Sequence, residues 1–176
     1  MLDCIVAVRA HIDADFESYF SLQHELIPGY AMVDEGLVRR AIKSMLNFSD
    51  VEYFSVVDPQ TGEYFGSIEL THKGDLNPPV LGISLLSKAQ NKGIGTTALK
   101  LFFKELYEER SIDKLNLLIM PDNKRSIHVF EKIGAKCLNS HILEVAEKLS
   151  DASGCKLSDA DKQGFTALEY ELRLPI

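Results

Sequence analysis

The sequence contains few cysteines, and no two of them have the spacing of a redox or metal-binding pair. Cys4, Cys137 and Cys155 are the only cysteines in 176 residues. An odd number without a CxxC pair argues against a disulfide framework and favours free thiols in a reducing compartment. We therefore expect a cytoplasmic protein.

Basic residues are also scarce relative to acidic ones. The chain has 19 Lys and Arg against 26 Asp and Glu, a formal net charge of −7. A general nucleic-acid binder needs clustered Lys and Arg, so we expect no nucleic-acid partner. No apolar stretch approaches the length of a membrane span, and the N-terminal segment has only a short apolar run without a basic stretch before it. We expect neither a membrane partner nor a signal peptide.

Two common phosphate-binding motifs are absent. The sequence has no G-x-x-x-x-G-K-S/T, and Ala98 occupies the third glycine position of a dinucleotide fingerprint. What the chain has instead is an apolar run, Val80 to Leu86, then a polar segment, then Gly93-Ile94-Gly95 and a long helical pattern. A strand, a glycine turn and a helix start direct backbone N–H groups and a positive helix end at an anion. This stretch predicts a phosphate or pyrophosphate on the amides around Gly93 and Gly95.

Hydrophobic periodicity and turn residues predict one mixed-sheet α/β domain over residues 1–176, in the order β-α-α-β-β-β-α-β-α-β-β. An irregular insertion is predicted near 141–164, where 142–149 is a candidate helix. The predicted strands are 4–9, 51–57, 63–72, 80–86, 115–120, 135–138 and 165–174, and the predicted helices begin near 16, 35, 93 and 123.

A second motif lies in the last of these helices. The segment from Asn123 to Ala135 reads N-K-R-S-I-H-V-F-E-K-I-G-A. With Gln90-x-x-Gly93-x-Gly95 before it, the chain resembles the GCN5-related N-acetyltransferase (GNAT) family, whose pattern is Q/R-x-x-G-x-G/A followed by N-x-x-A/S-x-x-x-Y-x-K-x-G-F. The resemblance covers roughly residues 5–174 and is strongest to the branch with ribosomal-protein N-terminal acetyltransferases and spermidine acetyltransferases.

The resemblance implies that acetyl-CoA is the co-substrate and that an acetyl group passes to a primary amine by direct attack in a ternary complex. Asn123 would contact the CoA arm where two central strands splay apart, and the motif also carries Phe130 and Lys132. The strand before the glycines would hold the pantetheine arm, and the loop after that strand would hold the pyrophosphate. The residues implied are Leu85, Leu86, Gln90, Asn91, Lys92, Gly93, Ile94, Gly95 and Thr96.

The chain departs from the family pattern at two positions. Phe130 stands where the family usually has a Tyr, which is often proposed to protonate the leaving thiolate, and Phe has no hydroxyl. Another donor or water then supplies the proton, or a thiol with a pKa near 8.5 leaves without an acid, or catalysis is lost. Ala135 replaces the terminal Phe, which we interpret as a packing change.

A general base should remove the proton of the attacking amine. Glu69, on the strand before the predicted phosphate-binding strand, is the nearest carboxylate, and an exposed strand residue is the competing interpretation. His72 is a second candidate by residue type, since histidine is the usual proton acceptor near neutral pH, and a surface histidine at a loop edge is the interpretation we favour. Other histidines have no partners at ligand spacing, so we expect no metal.

Two other functions stay open. The same fold could be a non-catalytic CoA-binding or regulatory module, which Phe130 favours, or a generic nucleotide binder. The expected acceptor is a small-molecule or peptide amine whose identity no motif specifies, and the resemblance makes a homodimer an acceptable expectation.

Overall fold

The computed structural model describes residues 5–72, 78–142 and 166–176. The strands in these residues are β1 (Ala7–Ala10), β2 (Val51–Val57), β3 (Tyr64–Thr71), β4 (Val80–Leu85), β5 (Lys114–Ile119), β6 (Lys136–Ile142) and β7 (Thr166–Arg173). They form one sheet in the order β1-β2-β3-β4-β5-β7-β6. Every neighbouring pair is antiparallel except β4 and β5, which are parallel.

The helices of the described residues are α1 (Phe16–Leu26), α2 (Glu35–Leu46), α3 (Ile94–Glu108) and α4 (Lys124–Lys132). Pro28 lies two residues past the end of α1, and Asp34 caps α2 by accepting a hydrogen bond from the Leu37 amide at 2.9 Å. None of the helices in the described part of the chain is long and apolar enough to cross a membrane.

The helices cover both faces of the sheet. Phe54 and Val56 of β2 belong to the core cluster that contains α3 and α4, whereas Tyr53 and Val57 pack with α1 and α2. Because successive side chains of a strand point to opposite faces, α1 and α2 lie on one face and α3 on the other. This is the α/β fold class that the sequence predicts.

The element order agrees with the prediction, and most element ends agree within two residues. β1 begins at Ala7, although the strand was predicted from residue 4, because its pairing with β2 begins only at Ala7. β6 differs more, because the predicted strand ended at 138 and Ile142 was assigned to a candidate helix. The structure continues β6 to Ile142, since β7 supplies partners along its length, with an irregularity between Cys137 and Asn139. The rest of the candidate helix and of the predicted irregular insertion lies outside the described residues.

Asp15 fixes the junction between β1 and α1. Its side chain is buried and accepts hydrogen bonds from Arg9 at 2.6 and 2.8 Å, from the Ser55 hydroxyl at 2.7 Å and from the Ile12 amide at 3.1 Å. Burial by itself would raise the pKa of Asp15, but these hydrogen bonds outweigh it and lower the pKa to about 2. The start of α1 is thereby tied to both β1 and β2.

We predict that Asp15→Asn lowers the free energy of unfolding at pH 7 by about 2 kcal/mol, because the ionised form makes the native contacts. A depressed native pKa adds stability above the unfolded pKa, so the wild type should lose this contribution as the pH falls from about 5 to about 2. Urea unfolding across this range measures it. Asp13→Asn, in the same turn but exposed, is the matched control. Equal pH dependence of both variants and the wild type would contradict the prediction.

Candidate functional site

The sheet opens at its centre, between β4 and β5. β4 pairs with β3 along its whole length, from Val80 to Leu85. Its parallel pairing with β5 is confined to Val80 opposite Asn116. Beyond that point the β5-facing edge of β4 has no strand partner among the described residues. Its backbone polar groups are therefore available to a ligand, except that the Leu85 carbonyl already accepts a hydrogen bond from the Gln90 side chain at 2.9 Å.

A cleft of about 450 Å³ occupies this opening. It lies between β4, the loop that leads into α3, and the first half of α4. The lining residues are Leu26, Ile83, Ser84, Leu85, Gln90, Asn91, Gly93, Ile94, Gly95, Thr96, Leu99, Asn123, Arg125, Ser126, Val129 and Phe130.

Most of the binding residues implied by the family resemblance line this cleft, but three do not. Leu86 lies just past β4, buried in the core beneath α1 and α2. Lys92 is exposed beside the loop, and Lys132 is exposed at the far end of α4. The cleft also contains residues that the sequence did not indicate, among them Ser84 and Arg125.

The first turn of α3 presents free amides to the cleft. The Thr97 amide donates to the Gly93 carbonyl at 3.0 Å and begins the intrahelical series. The amides of Ile94, Gly95 and Thr96 therefore have no partner within the helix, and no side chain caps them. Three amides at the positive end of a helix fit a phosphate group.

Two glycines make this geometry possible. Gly93 has a φ of +78°, which other residues adopt only with strain. At Gly95 an added Cβ would lie 3.1 Å from Leu85 Cδ1, so glycine permits α3 to approach β4 closely. The amides and the free edge of β4 consequently open into the same cleft.

α4 forms the opposite wall. Asn123 caps the helix, because its side-chain oxygen accepts a hydrogen bond from the Ser126 amide at 3.1 Å. Phe130 reaches into the cleft from a buried position and packs in the main core. Its position is the one where the family pattern has Tyr, and a phenyl ring supplies no proton there.

Glu69 lies one strand away from the cleft. In the sheet register it stands between Tyr53 of β2 and Gly82 of β4, and its carboxylate accepts a hydrogen bond from the Tyr19 hydroxyl at 3.1 Å. Burial raises the pKa of Glu69, and the hydrogen bond from Tyr19 opposes that rise only in part. Gly82 places no side chain between Glu69 and the free edge of β4.

His72 is placed differently from Glu69. Its Nε2 atom lies 2.7 Å from Glu52 Oε1, and Glu52 also accepts a hydrogen bond from Arg110. Glu52 and Leu70 are paired and share the face that α3 covers, and His72 is two residues beyond Leu70. His72 is thus engaged in an ion-pair cluster on the opposite face of the sheet from Glu69.

Comparison of the sequence with known protein families identifies the family. Residues 6–136 match the family model described as Acetyltransferase (GNAT) domain. The chain belongs to the GNAT acetyltransferase family. It is therefore an acyl-CoA-dependent N-acetyltransferase, as the two motifs indicated.

Solved structures share the fold of this acetyltransferase. A chimera of the Vibrio cholerae spermidine N-acetyltransferase SpeG and hSSAT superimposes with a TM-score of 0.71 at 15% identity, over 96% of this chain and 95% of the chimera. The Vibrio cholerae spermidine N-acetyltransferase in complex with CoA and spermine gives 0.68 at 14% identity, over 96% and 95%. At such low identity the likeness shows the fold. No curated protein matches the sequence.

The described residues contain no group of three or more His, Cys, Asp or Glu that could hold a metal ion. The expected absence of a metal from this acetyltransferase stays a prediction, because part of the chain lies outside those residues.

We predict that Thr96→Asp weakens acetyl-CoA binding at least about tenfold, because it directs a carboxylate into the anion site. An acidic residue in the first turn of α3 favours the helix, so the fold should be retained. Thr97→Asp is the matched control, since Thr97 is exposed, lies one residue further along and does not line the cleft. Isothermal titration calorimetry measures both affinities. Equal affinities of the two variants would refute a phosphate site at these amides.

Proposed function

We propose that this acetyltransferase binds acetyl-CoA in the cleft between β4 and β5 and transfers the acetyl group to a small primary amine, with Glu69 as the general base. The observation that carries the proposal is the opening of the sheet beside a half-buried carboxylate, that of Glu69. The free edge of β4 and the free amides of α3 suit a long ligand with phosphates at one end, and Glu69 stands at the neighbouring strand.

Different regions of the cleft suit different parts of acetyl-CoA. The amides from Ile94 to Thr96 suit the phosphates. The edge of β4 near Ser84 and Leu85 suits the amide groups of the pantetheine arm, since extended backbone can pair with them as another strand would. A free amide of β4 can also donate to the thioester oxygen, where negative charge develops during attack.

Acetyl-CoA supplies an activated acyl group, and the protein's tasks are to orient the amine and receive its proton. The amine arrives mostly protonated, and its nitrogen must lose that proton before it can attack the carbonyl carbon. Glu69 accepts the proton directly or through one water. Its raised pKa makes it a stronger base than an exposed glutamate. The new C–N bond forms as the C–S bond breaks, the nitrogen releases its second proton to water, and the CoA thiolate leaves.

The leaving thiolate receives no proton from position 130. Phe130 is buried and has no hydroxyl. Because a thiol has a pKa of about 8.5, the thiolate is a stable leaving group near neutral pH and can take its proton from water. We therefore propose that this acetyltransferase works without the acid that the family pattern places here.

A polyamine is the first acceptor to test. The support is indirect: a structure with the same fold is that of a spermidine N-acetyltransferase with CoA and spermine. A cytoplasmic location fits a CoA-dependent enzyme with an exposed free thiol at Cys137. A homodimer stays a prediction that size-exclusion chromatography with light scattering can test.

We predict that Glu69→Gln lowers kcat/KM for the amine by about 10²-fold or more, because the amide cannot accept the proton. Affinity for acetyl-CoA should be unchanged, since Glu69 does not line the cleft. Thiol release across a panel of polyamines, amino acids and N-terminal peptides measures the rate, with the exposed Glu109→Gln as the control. An unchanged pH–rate profile excludes Glu69 as the base. Binding of acetyl-CoA by a wild type that is silent on every amine favours the non-catalytic module.

We predict that Tyr19→Phe moves the acidic limb of the kcat/KM–pH profile to higher pH. The Tyr19 hydroxyl stabilises the ionised form of Glu69, so its removal should raise the pKa of Glu69 further. The protein should also lose about 1 kcal/mol of stability with this hydrogen bond. Tyr107→Phe, at an exposed position of α3, is the matched control. A profile that coincides with that of the control would show that the hydrogen bond does not tune the base.

A further inference from the structure

Arg125 spans the mouth of the cleft. It stands in the first turn of α4 and lines the cleft, and its guanidinium donates to the Asn91 side-chain oxygen at 2.9 Å and to the Gln90 side-chain oxygen. Gln90 in turn donates from its own amide nitrogen to the Leu85 carbonyl at 2.9 Å. The guanidinium is thereby held against the loop that leads into the free amides of α3.

This guanidinium differs from most arginines of the protein in its partners. The other paired arginines bind carboxylates: Arg9 with Asp15, Arg39 with Glu17 and Glu35, Arg110 with Glu52, and Arg173 with Glu171. Within the described part of the chain, Arg125 contacts only neutral amide oxygens and has no carboxylate within 4.0 Å. Its positive charge is therefore not neutralised.

The position of Arg125 at a helix N-terminus also disfavours its positive charge. Cations are unfavourable at the N-terminus of a helix, and Arg125 is in the first turn of α4 with the N-terminus of α3 across the cleft. Hydrogen bonds to a charged acceptor are stronger than those to neutral amides, and a guanidinium binds phosphate with two parallel N–H groups. An anion in this mouth would relieve the repulsion and replace weak partners with a strong one.

We propose that Arg125 is a ligand of the CoA diphosphate and makes this enzyme select CoA thioesters over pantetheine thioesters. The inference rests on the proposed function, since it assigns a partner to one group of the same co-substrate. The diphosphate is favoured over the 3′-phosphate because Arg125 already contacts Asn91, in the loop that leads directly into the free amides of α3.

The test measures binding of acetyl-CoA, 3′-dephospho-acetyl-CoA and S-acetylpantetheine to the wild type, Arg125→Gln, Arg125→Lys and Arg40→Gln. Arg40 is the matched control, because it is an exposed arginine of α2 outside the cleft with no ion pair among the described residues. Arg125→Gln keeps the Asn123 cap of α4, so its melting temperature should stay close to that of the wild type.

We expect Arg125→Gln to bind acetyl-CoA and 3′-dephospho-acetyl-CoA about tenfold more weakly than Arg40→Gln does. S-acetylpantetheine should bind both variants equally. Arg125→Lys should recover part of the affinity, because it keeps the charge without the fork. The affinity for acetyl-CoA should also fall less with added salt in Arg125→Gln than in the wild type.

Equal acetyl-CoA affinity of Arg125→Gln and Arg40→Gln would overturn the inference while leaving the proposed function intact. A tenfold effect that disappears with 3′-dephospho-acetyl-CoA would overturn the assignment to the diphosphate. Failure of the wild type to bind acetyl-CoA at all would instead refute the proposed function.

Discussion

The functional site depends on the incomplete pairing of β4 with β5. β4 is fixed by β3 along its whole length, so it stays extended even where its other edge has no strand partner. Gly95 permits α3 to pack closely against Leu85, which brings the helix N-terminus to the end of that free edge. Backbone groups of two kinds, the strand edge and the helix amides, thus meet in one cleft, and Arg125 is the charged side chain among its lining residues.

The same sheet register places the proposed base. Glu69 is held between β2 and β4, and its partner Tyr19 comes from a helix on that face. Burial raises the pKa of this carboxyl group, while the hydrogen bond from the tyrosine hydroxyl partly opposes that rise and orients the side chain. Gly82 leaves the space beside Glu69 open toward the strand edge. The base and the donor site are therefore positioned by one strand pair rather than by a mobile loop.

The residue pattern predicted the elements and the glycine turn before α3 because these depend on local chemistry. Apolar periodicity, the glycines at 93 and 95, and the Asn123 cap act within a few residues of chain. The pattern did not indicate Arg125, whose partners lie 34 and 35 residues earlier in the sequence. It was also wrong about the end of β6, because the hydrogen bonds of β7 extend that strand beyond what its own residues favour.

The sequence by itself determined the α/β class, the order of the elements and the family, since two motifs at the right distance specify a helix start and a capped helix. Only the tertiary structure decided which motif residues reach the cleft. Leu86 turns into the core and Lys132 points away from the cleft, whereas Arg125 faces it. Side-chain direction depends on how each helix is rotated against the sheet, and long-range packing decides that rotation.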